Sequence, residues 1–218
     1  MSDRIYAVIA GELAESRKIS DRHLGKIPDI IRSSFSDVND HTASENTLDY
    51  KIIRMDEFLC ITAQPQSALH AVLMLASIFR FRSYTDLKIR TDLRLSIGIG
   101  PAELIKEELR ESDGTAFRMA DTGLRSMKRN QRLSITTMDD ELNEEFAVAC
   151  GFMDILIHDW SDEQAEAFFH RLAGKNQTQI SEELNISQPA VNRRLKAAHY
   201  DAIENLILRF SKVFSEKI

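Results

Sequence analysis

Hydrophobic residues fall along this chain in two rhythms, and the change from one to the other divides it. In the first part they form short unbroken or alternating runs. RIYAVIA at residues 4–10, LDYKII at 48–53, FLCIT at 58–62, LRLSIGI at 93–99 and RLSITT at 132–137 each read as a strand. Helical spacing appears between them over 21–35, over 66–81 with Leu69, Val72, Leu73, Ala76 and Phe79 inward, and over 115–128 behind a cap at Ser112 or Asp113. The polar stretch DVNDHTASEN at 37–46 is a loop or a frayed end. From residue 139 onward the rhythm is helical only. Leu142, Phe146, Ala149, Met153, Leu156 and Ile157 mark one helix; a second starts at a Ser161 cap and ends at Gly174; Ile203, Leu206, Ile207, Phe210 and Phe214 mark the last.

The order is strand, helix, strand, strand, helix, strand, helix, strand, and its first six elements match the ferredoxin-like β-α-β-β-α-β arrangement. The expected class is therefore α+β: a ferredoxin-like domain over 1–138, a connector helix over 139–160 and an all-α domain over 161–218. The apolar stripe of the connector needs cover. Either a second copy of the chain supplies it, giving a homodimer, or the chain's own sheet does. The last helix offers a further dimer contact.

Residues 176–199, NQTQISEELNISQPAVNRRLKAAH, have the register of a helix-turn-helix. A short helix over 177–184 carries Ile180 and Leu184 on one face. Asn185 tolerates the left-handed turn, Ser187 offers a hydroxyl cap and Pro189 sits in the next helix's first turn. Val191, Leu195 and Ala198 point inward with Ile186 beneath them, which leaves a polar, cationic face. Ser187, Gln188, Asn192 and Arg193 would read base edges of double-stranded DNA, with Arg194, Lys196, Gln177 and Thr178 on phosphates. The alternative is an αα-hairpin packed only against protein.

Composition narrows the partners. The 218 residues carry a net charge of −6, so affinity for nucleic acid has to come from a local patch such as Arg193, Arg194 and Lys196. Cys60 and Cys150 lie in apolar surroundings and make no disulfide framework, and the six histidines show no zinc-ligand spacing. No apolar run approaches the ~18 residues a bilayer span needs, and the first residues lack the pattern of a signal peptide. The expectation is a cytoplasmic protein without a membrane partner.

The first part holds its own candidate chemistry. Glu12 follows Gly11 at the tip of the first strand, and Ser16, Arg17 and Lys18 gather donors and positive charge ahead of a helix, which suits a nucleotide phosphate. Asp56 and Glu57 sit at the tip of the central hairpin. The predicted topology lays that tip beside the end of the first strand, where Glu12 with Asp56 or Glu57 could hold Mg²⁺. Gly98 and Gly100 point to close approach of backbone or ligand.

The MDEF hairpin after a strand-helix start resembles the palm-type nucleotide cyclase fold, shared by class III adenylate cyclases and the Gly-Gly-Asp-Glu-Phe diguanylate cyclases. More closely, YAVIAGELAESRK, RMDEF, LRLSIGIG, SDGTAFRMA and the C-terminal helix-turn-helix, taken in that order, resemble the SatD family of small bacterial proteins. The resemblance implies a palm-like domain joined to a DNA-binding tail. It also shows departures: Glu12 stands where an aspartate is usual, Met55 where a glycine precedes the hairpin acid, Arg54 for another small residue and Phe117 for the asparagine of adenylate cyclases. The expected function is a DNA-binding transcriptional regulator whose palm-like domain senses a nucleotide or supports oligomerisation. No catalytic residue is assigned. The rival is a Mg²⁺-dependent nucleotidyl cyclase or nucleotidyltransferase.

Overall fold

The first strand is apolar along almost its whole length, and helices on both sides of the sheet account for that. The computed structural model describes residues 4–42, 47–103 and 112–217. Strand β1 (Ile5–Leu13) lies between two antiparallel neighbours, β3 (Glu57–Thr62) and β4 (Leu93–Glu103). β2 (Asp49–Arg54) pairs with β3 at one edge. Beyond β4 runs β6 (Leu133–Thr137), in parallel, and the short β5 (Asp113–Gly114) bridges to the end of β4. The order β2-β3-β1-β4, antiparallel throughout, is the ferredoxin-like unit that the hydrophobic pattern predicts. The fold is α+β.

On one face Ala7, Ile9 and Leu13 share a buried cluster with α2 (Ile27–Asp40) and α3 (Ala68–Leu87). On the other, Val8, Ala10 and Ile61 meet Ala116 and Ala120 of α4 (Thr115–Ser126). A Cβ on Gly98 would stand 2.2 Å from the Ala116 carbonyl oxygen, so this glycine admits a helix backbone. Gly100 makes only ordinary contacts. The helix expected over 21–35 is two, α1 (Asp21–Leu24) and α2, parted at Gly25 and Lys26. Pro28 explains the restart: it has no N–H to give and fits a helix's first turn.

The helical part continues the same core. α5 (Asp140–Asp159) lies against β6 and buries Leu142, Phe146, Cys150, Met153 and Ile157, so the chain's own sheet covers the connector stripe. Val148, Phe152 and Ile155 on its other side stay exposed. α9 (Tyr200–Lys217) turns Phe210 and Phe214 onto Phe146, with ring centroids 5.5 and 6.1 Å away. That apolar face, expected as a dimer contact, is therefore buried within the chain; its complement was on α5. α6 (Asp162–Leu172) sits on α3, where a His70 ring nitrogen bonds the Leu172 carbonyl at 3.1 Å. From α3 the Arg80 guanidinium donates to the carbonyls of Ile157 and His158, satisfying the end of α5.

α7 (Gln177–Glu183) and α8 (Gln188–Ala197) both pack on α6. Asn176 caps α7 reciprocally with Gln179, and Asn185 turns the chain at φ 50°. Ser187 takes the N-cap position of α8, but its hydroxyl makes no capping bond, contrary to expectation. Pro189 lacks the N–H one such bond would use, and the Ala190 N–H goes to the Ser187 carbonyl at 2.9 Å. Trp160 ties the unit to its surroundings through an indole N–H donated to Ala198, 3.1 Å away. Among the described residues no helix is long and apolar enough to cross a membrane.

Candidate functional site

Strand register assembles a row of charge at one end of the sheet. Arg54 of β2 faces Glu57 of β3, Glu57 faces Glu12 of β1, and Glu12 faces Arg94 of β4. Directly opposed residues of a regular antiparallel ladder project from the same face, which aligns Glu57, Glu12 and Arg94. Arg54 joins them through its ion pair with Glu57 past a register shift in β2, so the four run across four strands as plus, minus, minus, plus. Like charges side by side repel, and each acid here is relieved from its outer flank. Arg54 lies 3.3 Å from Glu57, and Arg94 donates to the Glu12 carboxylate. The second amino group of Arg94 is held by the Met127 carbonyl at 2.6 Å. Met55 and Asp56 form the tight hairpin turn beside this row. The Asp56 carbonyl accepts the Leu13 N–H at 2.8 Å, which fastens the tip to the end of β1.

A single 3-10 turn, Ser16–Lys18, follows β1. Ahead of it Glu15 adopts φ 54°, a left-handed conformation uncommon for a residue with a side chain. Its carboxylate receives Lys18 Nζ at 2.9 Å and Arg129 Nε at 2.7 Å. These bonds, Lys18's first and Arg129's next, hold the Glu15 carboxyl below its ordinary range.

Between turn and charge row opens a cleft of about 710 Å³. Glu12, Asp56 and Glu57 line it with Ser16, Arg17 and Lys18, and Glu15, Arg94 and Arg129 border it too. All six residues that the sequence offers as metal or phosphate ligands therefore border one space, whereas Gly98 and Gly100 do not. Arg17 is exposed there and, among the described residues, makes no ion pair. A neighbouring cleft of about 540 Å³ shares Glu15 and Lys18 and adds Ile19 and Ile89 to its walls. Sequence reasoning did not find Arg94 or Arg129. Pairing the LRLSIGI strand with β1 would have exposed Arg94 as the partner of Glu12, whereas no local pattern marks Arg129. Among the described residues no three His, Cys, Asp or Glu side chains are arranged to hold a metal ion. Cys60 is fully buried, which pushes its thiol up, and burial with the nearby Asp154 charge pushes Cys150 up to about 12.

The second candidate surface is the outer face of α8. Ser187, Gln188, Arg193 and Lys196 are exposed, as is Thr178 on α7, while Gln177 and Asn192 are half-buried. Arg194 differs from its neighbour. It reaches back to Glu166 on α6 at 3.3 Å, with a quarter of its side chain exposed. Residues 161–218 carry eight Lys or Arg and eight Asp or Glu, so the net charge of −6 belongs to the rest of the chain.

No protein-family profile matches this chain, and no curated protein matches it. Solved structures do. The crystal structure of the guanylyl cyclase Cya2 aligns at a TM-score of 0.43 and 13% identity, covering 61% of this chain and 75% of that one. The catalytic core of a rhodopsin-guanylyl cyclase with converted specificity, in complex with ATPαS, aligns at 0.43 and 12%, covering 61% and 77%. Both chains are similar to this one only loosely, and its fold and site stand on its own strand pairing and side-chain geometry.

Proposed function

We propose that the cleft at the end of β1 binds the phosphates of a nucleotide, as a palm-type site, in a protein of the SatD family. The observation that carries the reading is convergence: Glu12, Ser16, Arg17, Lys18, Asp56 and Glu57, drawn from two separate segments, line one cleft. Arg17 and Lys18 offer charge-assisted hydrogen bonds to phosphate oxygens. Ile19 and Ile89 next door give a base or sugar an apolar wall. The test incubates the protein with each of the four nucleoside triphosphates plus Mg²⁺ or Mn²⁺ and follows both melting temperature and products. The reading expects at least one nucleotide to raise the melting temperature, by mass action on the folded state. It expects that rise to shrink in an Arg17→Ala, Lys18→Ala variant. No shift and no product would remove it. Release of pyrophosphate with a cyclic or polymeric product would place the chain among nucleotidyl cyclases or transferases, and binding without product would leave a sensor.

A second reading rests on a separate observation: Gln188, Arg193 and Lys196 stand exposed along one helix, α8, their side chains without partners among the described residues. We infer that this face contacts the major groove of duplex DNA. Selection from a random DNA pool should enrich a defined sequence, with affinity falling as salt rises. Equal, salt-independent binding by wild type and an Arg193→Ala, Arg194→Ala variant would contradict it.

A further inference from the structure

We propose that the cleft takes its anionic ligand without a divalent cation, because two arginines of the chain already occupy the electrostatic place of the metal. This rests on the nucleotide reading of the cleft and deepens it. Two of the three acids expected to hold Mg²⁺, Glu12 and Glu57, are not available carboxylates, and Asp56, which makes no ion pair among the described residues, stands alone at the hairpin tip. Glu12 and Glu57 are the inner pair of the four-strand row, each taken from outside by its own arginine, Glu12 by Arg94 and Glu57 by Arg54. Regular register imposes the Glu12–Arg94 pairing, and Arg54 meets Glu57 where the register shifts at the end of β2. Arg94 is anchored further by the Met127 carbonyl and is mostly buried, 18% exposed. Mg²⁺ demands oxygen ligands at about 2.1 Å in near-octahedral array. To reach Glu12 it would have to displace a guanidinium held at both ends. What a metal does for a phosphate among carboxylates is cancel their charge so that the anion can approach. Here the row of two cations and two anions is already neutral. Of the other charges bordering the cleft, Arg17, Lys18 and Arg129 outnumber Glu15 and Asp56 by one, which leaves positive charge to receive the anion.

The experiment has two arms on the full chain. The first titrates Mn²⁺ and follows it by electron paramagnetic resonance, in wild type and in Arg94→Met. Wild type should show no tight Mn²⁺ site, and Arg94→Met should gain one, because Glu12 and Glu57 then face each other with one arginine fewer. One tight Mn²⁺ per wild-type chain, or no gain in the variant, would overturn the proposal. Should Arg94→Met fail to fold by circular dichroism, Arg54→Ala on the exposed edge of the row makes the same comparison. The second arm measures ATP binding by calorimetry in EDTA and in Mg²⁺. Equal affinity supports the proposal, as does a loss of about tenfold for Arg94→Met in EDTA. Binding that requires Mg²⁺ refutes it. Absence of ATP binding in both buffers would instead sink the nucleotide reading, while the Mn²⁺ arm still decides whether the row admits a metal.

Discussion

The cleft at the end of β1 and the outer face of α8 both gather cations, but they hold them differently. In the cleft, Arg94, Lys18 and Arg129 are clasped by Glu12 and Glu15: Lys18 within its own turn, Arg94 and Arg129 by acids distant in the chain. On α8, Arg193 and Lys196 stand out from a single helix without a clasp. A clasped cation is positioned and partly neutralised before a ligand arrives. An exposed one stays mobile, strongly screened by salt, and suited to a polyanion that makes many weak contacts. Arg193 and Arg194 repeat the contrast one residue apart, the first exposed and the second tied to Glu166.

The largest change that sharpens this comparison is in the core the two surfaces share. Phe168 is fully buried against Trp160 and Tyr200, with ring centroids 4.5 and 5.6 Å away. Phe168→Ala should cost about 3–5 kcal/mol in urea unfolding. One cluster of buried side chains runs from the sheet through α6, α8 and α9, so loss of structure should remain a single transition. Two separated transitions would show the surfaces to sit on independent units. Next comes Arg193→Ala, which should weaken DNA binding by about 1–3 kcal/mol and leave both melting temperature and ATP binding unchanged. Arg194→Ala should do the reverse in part. Removing it strands a half-buried Glu166 whose carboxyl burial already raises above its ordinary range, and the melting temperature should fall by the equivalent of about 1 kcal/mol. If both substitutions affect DNA alone, the clasp on Arg194 is not a stabilising contact.

The smallest effect concerns the joint between α3 and α6. Burial lowers the His70 pKa from its usual 6.5, its bond to the Leu172 carbonyl opposing. Below that value the unfolded chain takes up a proton that the folded chain refuses, so stability present above pH 6.5 is lost as pH falls toward the folded value. His170, also lowered chiefly by burial, acts in the same direction. Melting temperature should drop between about pH 7.5 and about pH 5.5, and drop less in His70→Gln. An unchanged pH dependence in that variant would show that His70 is not part of it.

What could be read from the sequence follows the same contrast. The α8 face was legible because it is local: cap position, turn residue Asn185 and outward side chains lie within a few residues of one another. The strand order was legible because β1 is an unbroken apolar run that only a strand covered on both faces needs. The acids and the turn at Ser16–Lys18 could be placed near one another from topology alone. Their arginine partners could not. Arg94 meets Glu12 only through the register of β1 against β4, and Arg129 meets Glu15 only through the path of the chain after α4. The restart at Pro28 is hidden in the sequence because the apolar spacing continues across it.

The central claim is that the cleft receives nucleotide phosphates through Arg17 and Lys18, and calorimetric titration of ATP into the full chain tests it most directly. Wild type should bind one ATP per chain, and an Arg17→Ala, Lys18→Ala variant that keeps the wild-type melting temperature should bind at least about tenfold more weakly. Equal affinity in the two proteins, or no heat of binding in wild type, would contradict it.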